Sequence, residues 1–156
     1  RIALSGESAG GHLVALAVVR QTLATRVDAV VPFYGVFDFA AEAKRRDGLI
    51  PSFKKLFGRD VLDDTMQAMM REASPLHLVK PGLPPFLLAH GTADQTVSYQ
   101  QSVDLLARLH AAGVTADLLT IKDGPHGMLP WPTLAPDFAD RVVAWLQKTL
   151  PDSAKR

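Results

Sequence analysis

Residues 2–18 read IALSGESAGGHLVALAV, and in this stretch Gly6, Ser8 and Gly10 separate a short apolar run from a longer helical one. A tight turn from strand to helix strains the backbone of its central residue and brings the two elements close together. Glycines two residues before and after Ser8 remove side chains that would otherwise collide there. The stretch therefore predicts a strand that ends in a sharp turn, with the Ser8 hydroxyl exposed at the apex.

The rest of the chain repeats this alternation of short apolar runs and amphipathic segments. Such alternation is typical of βα units on a parallel sheet, so we expect an α/β fold with helices flanking the sheet. The predicted strands are Ile2–Leu4, Ala29–Phe33, Pro85–His90 and Ala116–Ile121. The predicted helices run from about Ala9 to Leu23, from Tyr99 to about Ala112 and from Asp137 to Leu150.

Residues 37–71 depart from the alternation and mix charged residues with phenylalanines and methionines. We expect an insertion of short helices here, in the position of a lid. Because methionine adapts to irregular ligands, these side chains are candidates to line a substrate pocket. The alternative is that they form only the small core of the insertion.

The composition indicates an ordinary globular protein of one domain. The chain has 156 residues, of which 47% are hydrophobic and 21% charged, and its formal net charge is +1. This balance gives no electrostatic reason to expect nucleic acid or an anionic membrane as a partner. Cysteine is absent, which excludes disulfides and thiolate metal sites, and no two histidines have metal-ligand spacing. We therefore expect no metal site.

The apolar runs are also too short to span a membrane, because a spanning helix needs about 20 apolar residues. We therefore expect a soluble protein and favour the cytoplasm. Secretion stays open, because the chain starts at Arg1 without Met, inside what the pattern predicts to be a buried strand. We expect that upstream sequence has been removed.

A serine hydroxyl becomes a good nucleophile when a base accepts its proton and an acid orients that base. Asp94 follows the third predicted strand in HGTAD, and His126 follows the fourth in GPHGM. We predict Ser8 as nucleophile, His126 as base and Asp94 as the orienting acid, with the Ala9 amide donating to an oxyanion. Asp94 as a helix cap and His126 as a surface histidine are the alternatives, and Asp123 is a second candidate for the acid.

Four further residues are candidates for contact with substrate: Glu7, Tyr34, Phe37 and Trp131. Trp131 follows the loop of His126 and is expected at the rim of a pocket, with packing as the alternative. Of the other histidines, His12 is expected to brace the turn at Ser8. His90 ends a strand and is expected to be buried.

At these residues the chain resembles the carboxyl-terminal half of an α/β-hydrolase, from the esterase branch that includes hormone-sensitive-lipase-like, acetylxylan and feruloyl esterases. The resemblance lies in GESAGGHLVALA, ASPLHLVKPGLPPFLLAHGTADQTVSYQQS and GPHGM. It implies the triad of Ser8, Asp94 and His126, and the cleavage of short-chain carboxylic esters through an acyl-enzyme. It also implies four strands of the sheet and no cofactor.

The same resemblance implies that a second oxyanion donor comes from a glycine-rich loop several strands before the nucleophile. In such a sheet the next three strands lie on one side of the nucleophile strand and the earlier strands on the other. Residues 1–5 are then expected to form an exposed apolar edge. Unpaired edges recruit partners, so we expect self-association or pairing with a separate amino-terminal segment.

Two other functions fit these motifs. One is a serine peptidase of the prolyl oligopeptidase type, which has a similar order of motifs; Glu7 and the alanine after Ser8 favour the esterase. The other is a non-catalytic fragment that keeps the triad but lacks the oxyanion loop.

Overall fold

The computed structural model describes residues 1–20 and 27–150, and its centre is a parallel four-stranded sheet. The strands follow one another across the sheet in chain order: β1 (Ala3–Glu7), β2 (Ala29–Phe33), β3 (Phe86–Gly91) and β4 (Ala116–Ile121). The limits predicted for β2 and β4 are confirmed. β1 runs beyond its predicted end at Leu4, because Ser5, Gly6 and Glu7 stay in register with β2.

Helices connect and flank the strands. The described helices are α1 (Ala9–Val19), α2 (Phe39–Arg45), α3 (Pro51–Phe57), α4 (Asp64–Ala73), α5 (Pro75–Leu78), α6 (Gln100–Ala111), α7 (Trp131–Leu134) and α8 (Phe138–Thr149). The three long helices predicted from the sequence correspond to α1, α6 and α8, and the limits of α6 and α8 agree within one residue. The predicted extension of α1 to Leu23 falls on residues 21–26, which lie outside the described residues.

Two apolar clusters cover the two faces of the sheet. On one face, α1 and α6 pack against the sheet through buried residues such as Val18, Phe86 and Leu105. On the other face, Trp131 packs with residues such as Val31 and Leu119, and α8 covers this cluster. All residues of β2 and β3 are buried, as is typical of central strands of a parallel sheet covered on both faces. The α/β prediction is confirmed.

The segment between β2 and α5 forms a separate small cluster. Phe39, Phe53, Met66 and Met70 are buried against one another on α2, α3 and α4. The prediction of short helices is confirmed, and these four side chains form the core of the insertion.

β1 lies at one end of the sheet, and within residues 1–20 and 27–150 its strand partner is β2. Ile2 is 58% exposed at this edge. Along the described parts of the chain, no helix combines the length and apolar character needed to cross a bilayer.

Candidate active site

Ser8 occupies a strained turn between β1 and α1. Its backbone has φ 52° and ψ −116°, a conformation that residues other than glycine rarely adopt. Its amide donates to the carbonyl oxygen of Phe33 at 3.0 Å, which ties the turn to the end of β2. The Ser8 side chain does not cap α1. The Ser8 hydroxyl is therefore not engaged in capping the helix and can form a hydrogen bond with another group.

The turn at Ser8 brings backbone segments so close together that some positions have no room for a side chain. A Cβ built on Gly6 would lie 2.5 Å from the carbonyl oxygen of Gly10, so the predicted need for glycine at residue 6 is confirmed. The prediction for Gly10 is wrong, because a Cβ on that residue meets nothing within 4 Å. The second required glycine is Gly11, where a Cβ would lie 2.5 Å from the carbonyl oxygen of Phe33. Gly11 thus lets α1 approach the end of β2.

The structure brings Ser8, His126 and Asp94 together from the ends of β1, β4 and β3. The Ser8 Oγ lies 2.9 Å from His126 Nε2, and His126 Nδ1 lies 2.7 Å from Asp94 Oδ2. The carboxylate side chain is fully buried, whereas 22% of the His126 side chain is exposed. Asp123 is exposed in the turn after β4, and the acid that bonds His126 is Asp94.

Asp94 is held as an anion by its hydrogen bonds. Its Oδ1 accepts the amides of Thr96 and Val97, each at 2.8 Å, and its Oδ2 accepts from His126 and His90. Burial by itself raises the pKa of Asp94. The bonds from His90, Val97, His126 and Thr96 outweigh burial and lower that pKa to about 2.

The loops that carry Asp94 and His126 touch through their backbones. The Ala93 amide donates to the Gly124 carbonyl oxygen at 3.0 Å. A Cβ on Gly91 would lie 2.5 Å from the Gly124 carbonyl carbon and 2.9 Å from its Cα. The absence of a side chain at residue 91 therefore sets the spacing between the two loops.

Ala9 is the first residue of α1 and directly follows Ser8. The first amides of a helix have no carbonyl acceptor within the helix, and they lie at its positive end. The Ala9 N–H is therefore the right type of group to stabilise negative charge beside the Ser8 oxygen.

Tyr34 and Glu7 lie next to the group formed by Ser8, His126 and Asp94. The edge of the buried Tyr34 ring packs on His126 with centroids 4.8 Å apart, and the Tyr34 hydroxyl donates to Glu7 Oε2. Burial and the bond to Glu7 raise the pKa of Tyr34, so this phenol stays protonated. Glu7 is exposed, whereas the buried Tyr34 packs against His126.

The other two candidates for substrate contact need correction. Phe37 is fully buried in the cluster of α1 and α6, so it offers no surface to a substrate. Trp131 is also fully buried, packing beside Phe33 and Tyr34, and its Nε1 donates to the Pro125 carbonyl oxygen at 3.1 Å. Trp131 therefore anchors the loop of His126 from inside the fold and does not form the rim.

Sequence reasoning missed a buried carboxylate behind the Asp94 loop. Glu42 on α2 is 1% exposed and accepts hydrogen bonds from Arg45 and Arg46, at 3.1 and 3.0 Å to their Nε atoms. Arg46 also donates to the carbonyl oxygen of Thr96. Lys44, Arg45 and Arg46 form a short basic run, and no local signal in the sequence shows that it links the insertion to the loop of Asp94.

His12 and His90 lie where the sequence predicted. His12 Nδ1 lies 2.8 Å from the Val36 carbonyl oxygen, and this contact braces the first turn of α1. Burial lowers the pKa of His12, which favours the neutral ring. His90 is fully buried at the end of β3, but its bond to Asp94 Oδ2 at 3.2 Å was not anticipated. The spacing of four residues in HGTAD was the available signal.

Comparisons with known proteins agree with this fold. A model of the BD-FAE family matches residues 1–109, a range that includes Ser8 and Asp94 and ends before His126. The chain is 37% identical over 114 residues to the probable carboxylic ester hydrolase LipM of Mycobacterium tuberculosis, covering 65% of this chain and 26% of LipM. It is 31% identical over 154 residues to the esterase LipQ of the same organism, covering 92% of this chain and 35% of LipQ.

Among solved structures, the truncated form of a carbohydrate esterase from gut microbiota superposes with a TM-score of 0.75 and 25% identity. That match covers 93% of this chain and 58% of the esterase. The chain thus spans about a third or less of the two curated relatives and 58% of the solved structure. Because the family model matches well over half of its residues, the chain belongs to the BD-FAE family, and its fold is that of an α/β-hydrolase.

Proposed function

We propose that this chain carries the nucleophile, base and acid of a serine hydrolase that cleaves short-chain carboxylic esters. The observation that supports this most directly is the run of hydrogen bonds from Ser8 Oγ through His126 to Asp94, at 2.9 and 2.7 Å. The printed names of LipM and LipQ, a carboxylic ester hydrolase and an esterase, support the choice of ester over amide.

In the proposed reaction the Ser8 Oγ attacks the acyl carbon while His126 Nε2 accepts its proton. The carbon–oxygen bond to the alcohol then breaks, and the alcohol leaves with the proton from His126. Water then gives a proton to His126 and attacks the acyl carbon of the acyl-enzyme. The bond between the acyl carbon and Ser8 Oγ breaks, the acid is released and the proton returns to Ser8. Asp94 holds His126 in the tautomer that presents Nε2 to Ser8, because a carboxylate can only accept the Nδ1 proton.

The Ala9 amide is the proposed first donor to the oxyanion. A second donor would come from a segment that is not part of this chain. Losing one such donor costs a serine hydrolase about 3–4 kcal/mol of transition-state stabilisation. We therefore expect this chain on its own to turn over slowly, even where Ser8 can be acylated.

Within residues 1–20 and 27–150, one edge of β1 has no strand beside it, and this edge is the proposed attachment point for a segment that carries the second donor. Ile2, Ala3 and Ser5 are exposed along it, and an unpaired apolar edge recruits another strand. The partner is a separate amino-terminal segment or a second copy of the chain. Light scattering that shows a stable monomer of this chain would contradict this proposal.

For the substrate we propose an ester of a small acyl group. Glu7 is the exposed polar group beside the nucleophile and is positioned to contact the alcohol or acyl portion. The insertion of α2, α3 and α4 is the proposed lid. Its large apolar side chains already pack on one another, so we expect it to cover the site rather than to line a deep pocket.

The test is covalent labelling with a fluorophosphonate, which reports nucleophile, base and acid together. We expect mass spectrometry to find the adduct on Ser8 and expect no adduct in Ser8→Ala. Ser5→Ala is the matched control, because Ser5 is an exposed serine three residues earlier on β1. A protein that stays unlabelled while another serine hydrolase in the same tube reacts would favour a non-catalytic fragment.

Substrate class is tested separately. Turnover of p-nitrophenyl acetate is compared with that of a proline-amide substrate at equal concentrations of unlabelled enzyme, whose active sites are counted by labelling a separate sample. We expect the ester to be cleaved and the amide to be left intact. Preference for the amide would favour the peptidase.

A further inference from the structure

His90 adjoins the proposed triad through Asp94. It is fully buried in β3, one residue before the end of that strand. Its Nε2 lies 3.2 Å from Asp94 Oδ2 and 3.2 Å from the carbonyl oxygen of Val97. Its Nδ1 lies 2.8 Å from the Ser102 Oγ on α6. Both ring nitrogens therefore have partners.

These partners place a proton on one nitrogen of the ring. The Asp94 carboxylate and the Val97 carbonyl can only accept hydrogen bonds, so His90 Nε2 must carry a proton. The Ser102 hydroxyl can donate or accept, so it can pair with Nδ1 with or without a proton there. The Nε2–H of His90 is therefore aimed at the proposed catalytic acid.

The hydrogen bond from His90 reaches the same Asp94 oxygen that bonds His126. Oδ1 accepts the amides of Thr96 and Val97, and Oδ2 accepts the two imidazoles of His90 and His126. Donors on both oxygens prevent the carboxylate from rotating about its terminal bond. Without His90, Oδ2 would be fixed only by His126, which is the group that Asp94 has to orient.

We infer that His90 is a positioning residue, which holds Asp94 Oδ2 through its Nε2–H so that the carboxylate meets the Nδ1–H of His126. This inference rests on the proposed function. His90 touches neither substrate nor Ser8, and its effect passes through Asp94. A carboxylate that is already oriented needs no rearrangement when positive charge develops on His126 during acylation.

A purely structural role is the competing explanation. His90 also links β3 to α6 through Ser102, and a buried imidazole requires partners simply to offset its desolvation. The two roles make different predictions. A structural link changes the stability of the fold, whereas a positioning residue also changes the acylation rate of folded protein, and a replacement that keeps a donor at the Nε2 position restores that rate.

The experiment compares three variants with the parent. His90→Leu removes both bonds, His90→Gln keeps an amide donor at nearly the same reach as Nε2, and His110→Gln is the matched control on the exposed side of α6. For folded protein we expect His90→Leu to lower the maximal rate of fluorophosphonate labelling by about 10- to 100-fold, the range for a lost hydrogen bond to a charged group. We expect His90→Gln to recover most of that rate and His110→Gln to match the parent.

A second measurement does not depend on reactivity. Long-range proton–nitrogen spectra of the imidazoles, with His90 assigned from its loss in His90→Gln, should show a proton on Nε2. If His90→Leu does not fold, Ser102→Ala takes its place. That change removes the hydrogen bond that holds the ring at Nδ1, so the ring can shift away from Asp94 and labelling of Ser8 should slow.

The outcomes separate the two proposals. A labelled parent whose His90→Leu variant reacts at the parental rate overturns the role of His90 and leaves the proposed function standing. A ring without a proton on Nε2 overturns it as well. A parent that is never labelled overturns the proposed function, and with it the role of His90, even where the spectra show the Nε2 proton.

Discussion

Replacing Gly91 with alanine places a methyl group between the loop that carries Asp94 and the loop that carries His126. The new Cβ would lie 2.5 Å from the carbonyl carbon of Gly124. Unbonded carbon atoms rest about 3.5–4.0 Å apart, so the two loops must separate by about 1 Å. The atom in the way belongs to backbone, and no side chain can rotate to make room.

The size of the expected effect follows from this displacement. A shift of about 1 Å in catalytic geometry costs about 100-fold in rate, because reacting groups must be aligned closely. Inserting one methyl group into a packed site also costs about 1–3 kcal/mol of stability. We therefore expect Gly91→Ala to fold with a lower Tm and to react with a fluorophosphonate about 100-fold more slowly than the parent.

The assay is the second-order rate of labelling of Ser8, measured together with thermal unfolding. Gly113→Ala is the matched control, because Gly113 has φ 71° in the turn after α6 and lies away from the three residues. This control should lose stability through backbone strain but should label at the parental rate. If Gly91→Ala labels as fast as the parent, the spacing of the two loops does not govern the site and the reasoning is wrong.

Three further predictions follow from the same contacts. The pKa of Asp94 is lowered from 3.8 to about 2 in the folded protein, so its charge stabilises the fold above pH 4 and that contribution is lost as the pH falls towards 2. Urea unfolding should therefore show the parent losing about 2 kcal/mol relative to Asp94→Asn between pH 5 and pH 2; parallel curves would contradict the assignment. Tyr34→Phe removes the hydroxyl that donates to Glu7 and should cost about 1.5–3 kcal/mol in the same unfolding assay, since one partner is charged. An unchanged free energy of unfolding would show that Glu7 finds an equal partner in water. Trp131→Phe loses the bond to the Pro125 carbonyl oxygen and should loosen the His126 loop, which hydrogen exchange at residues 126–130 would report; unchanged exchange would mean that packing alone holds the loop.

The sequence predicted the strands well because each contains a short, mainly apolar run. The limits of β2 and β4 agree with the structure, and β3 lies one residue later than predicted at each end. β1 was predicted too short, because Ser5 and Gly6 are poor strand formers taken alone. Their pairing with β2 overrides that local preference.

The sequence predicted the polar residues of the site better than the apolar ones. Ser8, Asp94 and His126 stand at strand ends with spacing that only a few arrangements explain, and the structure brings all three side chains together. Phe37 and Trp131 were misassigned, because an apolar residue after a strand has the same sequence signal at a pocket rim and in a core. The contact between Gly11 and Phe33 depends on how α1 crosses β2, which no local pattern encodes.

β1 lies at the border of the sheet and therefore responds first to mild unfolding conditions. Within the described residues, the strand that carries Ser8 pairs with β2 alone, whereas His126 and Asp94 stand on loops whose backbones are joined to each other next to the fully buried β3. Border strands fray at a lower free-energy cost than enclosed ones. Warming or mild denaturant should therefore separate Ser8 from His126 while most of the fold persists, so that retained helix and sheet content is a poor guide to whether these two side chains still meet.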